Sequence, residues 1–270
     1  MERVALEAVE IEYEVVGTGE PALLIHGSVL SDGGKPLMSA PALADRYQLI
    51  RYHRRGYAGS THPVEPVGIG EQASDAAGLL RALGIDAAHV IGHSYGGLVA
   101  LQLALDAPEL VHSLVLEEPA LMNVPAAAAS VGDLMPLFEA YAAGDKAAAI
   151  GGFLEWSSGR EDYEDVLDAT LPGALAEAVK DADTLFEVEM PAIPEWQMGR
   201  EQASAVTHAA LYVLGSRSLP MFAEGCSDLQ AWLPNLKVAV AEGVGHFLHI
   251  EDADAVAAPI AAFLAAHPID

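Results

Sequence analysis

Cationic side chains are scarce in this chain: four lysines and nine arginines stand against 39 acidic residues, a formal net charge of -26 over 270 residues. An anionic field of that size repels polyanions, which excludes nucleic acid and anionic membrane surfaces as expected partners. The same field fits solubility or tolerance of salt and is silent about chemistry. The single cysteine, Cys226, rules out an internal disulfide framework and fits a reducing compartment. Glu224 and Asp228 beside it would raise a thiol's pKa, so Cys226 is a poor nucleophile. No apolar run reaches spanning length without charge or proline. The opening Met1-Glu2-Arg3-Val4-Ala5-Leu6-Glu7 lacks the apolar stretch of a secretory signal, so a soluble, cytoplasmic protein is expected. Metal-ligand spacing is missing as well. His89 and His93 are four apart, but they span a strand and its turn, and no glutamate sits beside His89. Neither a metal nor any other cofactor is expected.

What is present is apolar: 52% of the residues are hydrophobic and 19% charged, enough to build one large core. Val4, Leu6 and Ala8, then Ile11, Tyr13 and Val15, alternate as two antiparallel strands do. Short continuous apolar runs follow at 22–25, 47–52, 89–92, 113–116, 211–214 and 237–241, the pattern of parallel strands buried on both faces. Amphipathic stretches separate them; in one, Ala76, Leu79, Leu80 and Leu83 repeat at helical spacing until Gly84 stops it. Strand-helix alternation predicts an α/β fold with a mostly parallel eight-stranded sheet flanked by helices. The alternation fails between about 121 and 205, where no strand is visible and Asp145 reads as the cap of one of several helices. The organisation predicted is a core from 1–120 and 206–270, with a helical lid, 121–205, inserted after the sixth strand.

Chemistry concentrates at Ile91-Gly92-His93-Ser94-Tyr95-Gly96-Gly97, between an apolar strand and a helix. A strand-to-helix turn this tight has no room for side chains two residues before and after its centre, so Gly92 and Gly96 mark Ser94 as an exposed nucleophile. The helix amino terminus behind it adds favourable dipoles.

With that elbow the chain resembles the α/β-hydrolase superfamily over nearly its whole length. Ile25-His26-Gly27-Ser28 looks like the family's oxyanion loop, Arg55-Gly56-Tyr57-Ala58-Gly59-Ser60 like its R-G-x-G-x-S segment, and Gly243-Val244-Gly245-His246-Phe247 like its terminal histidine loop. The resemblance implies His246 as general base and the backbone amides of Ser28 and Tyr95 as the oxyanion hole. His26 itself is expected to brace the loop.

One member of the family's pattern is missing. The turn after the seventh strand usually carries the acid; here it reads Leu214-Gly215-Ser216-Arg217-Ser218-Leu219-Pro220. A substitute stands at the end of the sixth strand, in Leu116-Glu117-Glu118-Pro119, a position that resembles the one used by haloalkane dehalogenases and zearalenone lactonases. Carboxylates leaving a buried strand need a polar partner, and a cationic histidine is one. Glu118 is the first choice, Glu117 the second, and Asp228 lies too far along the chain.

The expected activity is that of a serine hydrolase acting on a small-molecule carboxylic ester or lactone through an acyl-enzyme on Ser94. Among the apolar residues of the predicted lid (Met122, Phe138, Tyr141, Phe153, Trp156, Phe186, Met190, Trp196 and Met198), the candidates for substrate contact are Trp156, Trp196, Phe153 and Met122. The scaffold also supports carbon-carbon bond hydrolysis, perhydrolysis and, without turnover, small-molecule reception. Aspartate would be required at position 94 for a dehalogenase or epoxide hydrolase.

Overall fold

The computed structural model describes residues 1–196 and 198–269. Its strands are β1 (Glu2–Ala5), β2 (Glu10–Val16), β3 (Glu20–Ile25), β4 (Tyr47–His53), β5 (Ala88–His93), β6 (Val111–Glu117), β7 (Ala209–Gly215) and β8 (Leu236–Ala241). They form one sheet in the order β1-β2-β4-β3-β5-β6-β7-β8, antiparallel at β1-β2 and β2-β4 and parallel elsewhere.

Alternation along each central strand explains the two layers that cover the sheet. Leu23, Ile25, Val90, Leu114, Leu116, Ala210 and Tyr212 enter one core, which includes the helices Ile69–Ala82 and Tyr95–Asp106. Ala22, Leu24, Ile91, Val115, Leu211 and Val213 enter the other, beneath Ala253–Ala265. One expectation fails at β8, whose Val238 and Val240 are 36% and 50% exposed. This strand pairs only with β7 and ends the sheet, so its apolar run is not covered on both faces.

Between β6 and β7 the only regular elements among the described residues are helical, including Pro125–Ala142, Lys146–Ser158, Tyr163–Thr170, Ala174–Lys180, a π-helical turn at Thr184–Glu189, and Arg200–Ser204. Asp145 caps the second of these, its carboxylate accepting the Ala148 amide at 3.0 Å. Their apolar faces share a third core with Val29, Leu30, Phe247 and Ile250, so the insertion sits on the loops that follow β3 and β8. No helix among the described residues is long and apolar enough to cross a membrane.

The chain switches direction across the sheet at β3, which pairs with β4 on one side and β5 on the other. Loops at the carboxyl ends of β3 and β5 diverge there and leave a crevice, the usual place for a ligand in a sheet of this kind.

Candidate active site

Ser94 occupies the turn between β5 and the helix Tyr95–Asp106 with φ 53° and ψ -120°, a backbone conformation that side-chain-bearing residues seldom adopt. The glycines around it make the turn possible. A Cβ on Gly92 would strike the Gly96 carbonyl, and one on Gly96 would strike the carbonyl oxygens of Ile25 and His26. The Ser94 amide donates to the Glu117 carbonyl at 2.9 Å, which ties the turn to the end of β6.

Three side chains from three different strand ends meet here. His246 Nε2 lies 3.0 Å from Ser94 Oγ, and His246 Nδ1 lies 2.7 Å from Glu118 Oε2. Glu118 is fully buried and His246 is 4% exposed. The second Glu118 oxygen accepts the Gly215 amide at 2.7 Å. An imidazole donating through Nδ1 to a carboxylate presents a bare Nε2 to the serine hydroxyl, the tautomer a general base needs. The His246 ring stacks on Phe222 at 3.9 Å with only 10° between planes, which fixes its tilt. His93 Nε2 donates to the His246 carbonyl at 2.9 Å, and burial, with His246 and His249 adjoining, holds the His93 ring well below its ordinary pKa and hence neutral.

Glu117 takes a different partner. It is buried with Oε2 3.1 Å from His249 Nδ1, so the two adjacent glutamates leave β6 toward two separate histidines rather than toward solvent. Cys226 is also buried, and its thiol is pushed up to about 11 by that burial and by the Glu118 charge rather than by Glu224 or Asp228.

The loop after β3 passes close to the serine: an ideal Cβ on Gly27 would lie 3.0 Å from Ser94 Cβ. Ser28 and Tyr95 both line the cavity that opens at Ser94. Tyr95 is the first residue of its helix, so its amide has no acceptor within the helix. His26 points elsewhere. Its Nδ1 donates to the Gly27 carbonyl and its Nε2 accepts the Arg54 amide at 3.0 Å, while burial and the Arg54 charge keep the ring neutral.

That cavity, about 450 Å³, is roofed by the inserted helices. Of the predicted contacts Met122, Phe153, Trp156 and Trp196 all line it, as do Phe138, Met190 and Met198. Tyr141 and Phe186 do not; they stack on one another at 4.5 Å. Met221 and Phe222 also line it, and no pattern in the residues points to them, since they open a core helix after Pro220 rather than belonging to the insertion. Among the described residues the wall carries no Asp, Glu, Lys or Arg. Several of its polar side chains are engaged by the protein: Asn123 donates to the Met198 carbonyl, Trp196 to Gln102, and Ser157 to the Leu154 carbonyl. A larger cleft of about 890 Å³, between the 30–41 segment and 169–177, does not reach Ser94.

A mostly parallel eight-stranded sheet with a serine on a strained turn at its switch point defines an α/β-hydrolase architecture. Residues 21–161 match the α/β hydrolase fold family, and the chain belongs to it. Among curated proteins it is 41% identical over 110 residues to "Putative carbamate hydrolase RutD" of Azorhizobium caulinodans, a match spanning 40% of each chain. Among solved structures it superposes on the enol-lactonase from Burkholderia xenovorans LB400 with a TM-score of 0.80 at 21% identity, covering 98% of this chain and all of that one. Est816, an N-acyl homoserine lactone degrading enzyme, gives a TM-score of 0.74 at 22% identity, covering 97% of this chain and all of that one. At such identities the likeness speaks for the fold.

Proposed function

We propose that the protein is a serine hydrolase that cleaves an uncharged carboxylic ester or lactone through an acyl-enzyme on Ser94. The observation that carries this reading is the continuous chain from Glu118 through His246 to Ser94 at 2.7 and 3.0 Å. Ser94 Oγ attacks the carbonyl carbon as His246 Nε2 takes its proton, and Glu118 stabilises the imidazolium. The tetrahedral oxyanion forms beside the amides of Ser28 and Tyr95. Collapse breaks the carbon-oxygen bond, and His246 returns the proton to the departing alkoxide. Water then attacks the acyl-enzyme by the same route in reverse.

The inserted helices act as a lid that supplies the apolar wall, with Met122, Phe153, Trp156 and Trp196 against the substrate. With no cationic side chain among the described wall residues, the polar groups that can meet developing charge cluster at the Ser94 end. A carboxylate elsewhere on the substrate would be desolvated without a partner, which is costly. Uncharged esters therefore fit and half-esters of diacids do not.

A fluorophosphonate probe should label the protein at Ser94 and leave Ser94→Ala unlabelled. Neutral p-nitrophenyl pentanoate should be cleaved at least about 100-fold more efficiently than the mono-p-nitrophenyl ester of glutaric acid, with the methyl ester of the latter restoring cleavage. Absence of Ser94-dependent labelling and turnover would sink the enzymatic reading and favour a binding protein.

A further inference from the structure

A second buried network, outside the Ser94-His246-Glu118 chain, ties the lid to the loop that carries Ser28. Its centre is Glu189, the last residue of the π-helical turn in the insertion and fully buried. The Glu189 carboxylate lies 2.6 Å from Arg54 Nη1, and the Tyr57 hydroxyl faces the same carboxylate. Arg54 is 1% exposed, on the loop after β4. Burial alone would lower its pKa, and the Glu189 charge, together with Tyr57, Tyr95 and Tyr52, offsets that and keeps the guanidinium cationic.

Both partners of Glu189 hold the backbone around Ser28. Arg54 donates through Nε to the His26 carbonyl at 3.0 Å and through Nη2 to the Gly27 carbonyl at 2.9 Å. The Tyr57 hydroxyl accepts the Val29 amide at 3.1 Å, with the Glu189 charge beside it. Ser28 is thus clamped from both sides, by an arginine on the carbonyls before it and a tyrosine on the amide after it. Val29 needs the clamp, because its φ of 58° is unfavourable for a β-branched residue. Arg54 also lies over the Tyr95 ring at 4.7 Å, and Gln72 links its Nη1 to the Tyr95 hydroxyl, so the second oxyanion residue belongs to the same cluster. On the lid side Glu189 is followed directly by Met190, which lines the cavity.

We infer that Glu189 is a positioning residue: one lid carboxylate holds Arg54 and Tyr57, and through them aims the Ser28 amide at the oxyanion. This rests on the reading of the cavity as a serine hydrolase site. It adds that the oxyanion loop is completed only when the insertion is docked, so seating of the lid and competence of the site are one event. Two further contacts hold the same docking: Thr184 Oγ1 donates to the Gly56 carbonyl, and the Ala58 amide donates to Asp181 at 2.9 Å.

Two variants test it, Glu189→Gln and Tyr57→Phe, the second removing the acceptor for Val29 without unpairing a charge. With p-nitrophenyl pentanoate each should lower kcat about tenfold or more, short of the roughly 100- to 1,000-fold cost of deleting an oxyanion donor outright, while KM changes less than about threefold. Affinity for a trifluoromethyl ketone, which presents an oxyanion once bound, should fall in step with kcat/KM. Hydrogen exchange gives a readout that needs no activity: the Val29 amide should exchange faster in both variants than in the parent protein. Unchanged Val29 exchange together with parental kcat in a folded Tyr57→Phe protein would overturn the inference. Failure of the parent protein to label at Ser94 would instead remove the hydrolase reading and leave the exchange result to judge the clamp.

Discussion

Glu118 accepts the Gly215 amide through the carboxylate oxygen that His246 does not use. Gly215 opens the turn after β7, where the family ordinarily carries its acid. The carboxylate beside His246 thus arrives from the neighbouring strand, and the turn after β7 anchors it. Glu118 pays for this route with a φ of 48°, held by a bond at each oxygen.

Replacing Glu118 by Gln keeps the shape and removes the charge that stabilises an imidazolium. Turnover should fall by about 1,000- to 10,000-fold, with a far-ultraviolet spectrum like that of the parent. Near-parental kcat would discard Glu118 as the acid, and the same assay on Glu117→Gln would then test the carboxylate paired with His249.

Ser28 is assigned through its amide, so its hydroxyl is dispensable. Ser28→Ala should keep kcat/KM within about threefold of the parent, because the backbone N–H survives the change. A loss beyond tenfold would mean that the side chain itself takes part.

Acid sensitivity should be visible at Asp32. Burial favours its neutral form, but hydrogen bonds from His53 and Lys35 and the Arg51 charge win and hold the carboxyl well below the usual carboxylate range. A carboxyl whose folded pKa is depressed contributes stability above the unfolded value, near about 4, and loses it as pH falls through the folded one. Asp32→Asn should melt at a lower temperature than the parent at pH 7, with the gap closing below about pH 4. A gap as wide near pH 2 as at pH 7 would contradict this.

Cys226, at about 11, should be almost inert to thiol reagents in the folded protein. At pH 8 its reaction with an aromatic disulfide should run about 100-fold or more slower than that of a free thiol, and denaturant should restore it. Rapid native labelling would show that the helix Pro220–Trp232 opens readily.

Much of this molecule is legible in its residues. Gly92, Ser94 and Gly96 announce the turn because steric exclusion there is local, and the breakdown of strand-helix alternation after Glu118 announces the insertion. The contact between Glu118 and His246 is legible for a similar reason: two glutamates ending an apolar strand require partners. What pattern reading misses depends on distance through space. Nothing near Phe222 says that it will stack on His246, and nothing near Glu189 or Arg54 says that they will meet, since 135 positions separate them along the chain. Edge position is equally invisible, which is why the apolar run at β8 suggested two-sided burial although Val240 is half exposed.

Register between β5 and β6, which sets His93 opposite Glu117, has a practical corollary. Ser94 and Glu118 each follow directly upon one of those paired residues, so a single ladder of backbone bonds dictates their separation. Anyone transplanting the constellation onto another parallel sheet could carry both on one contiguous two-strand cassette. The histidine would then be the sole group whose placement had to be engineered through a loop.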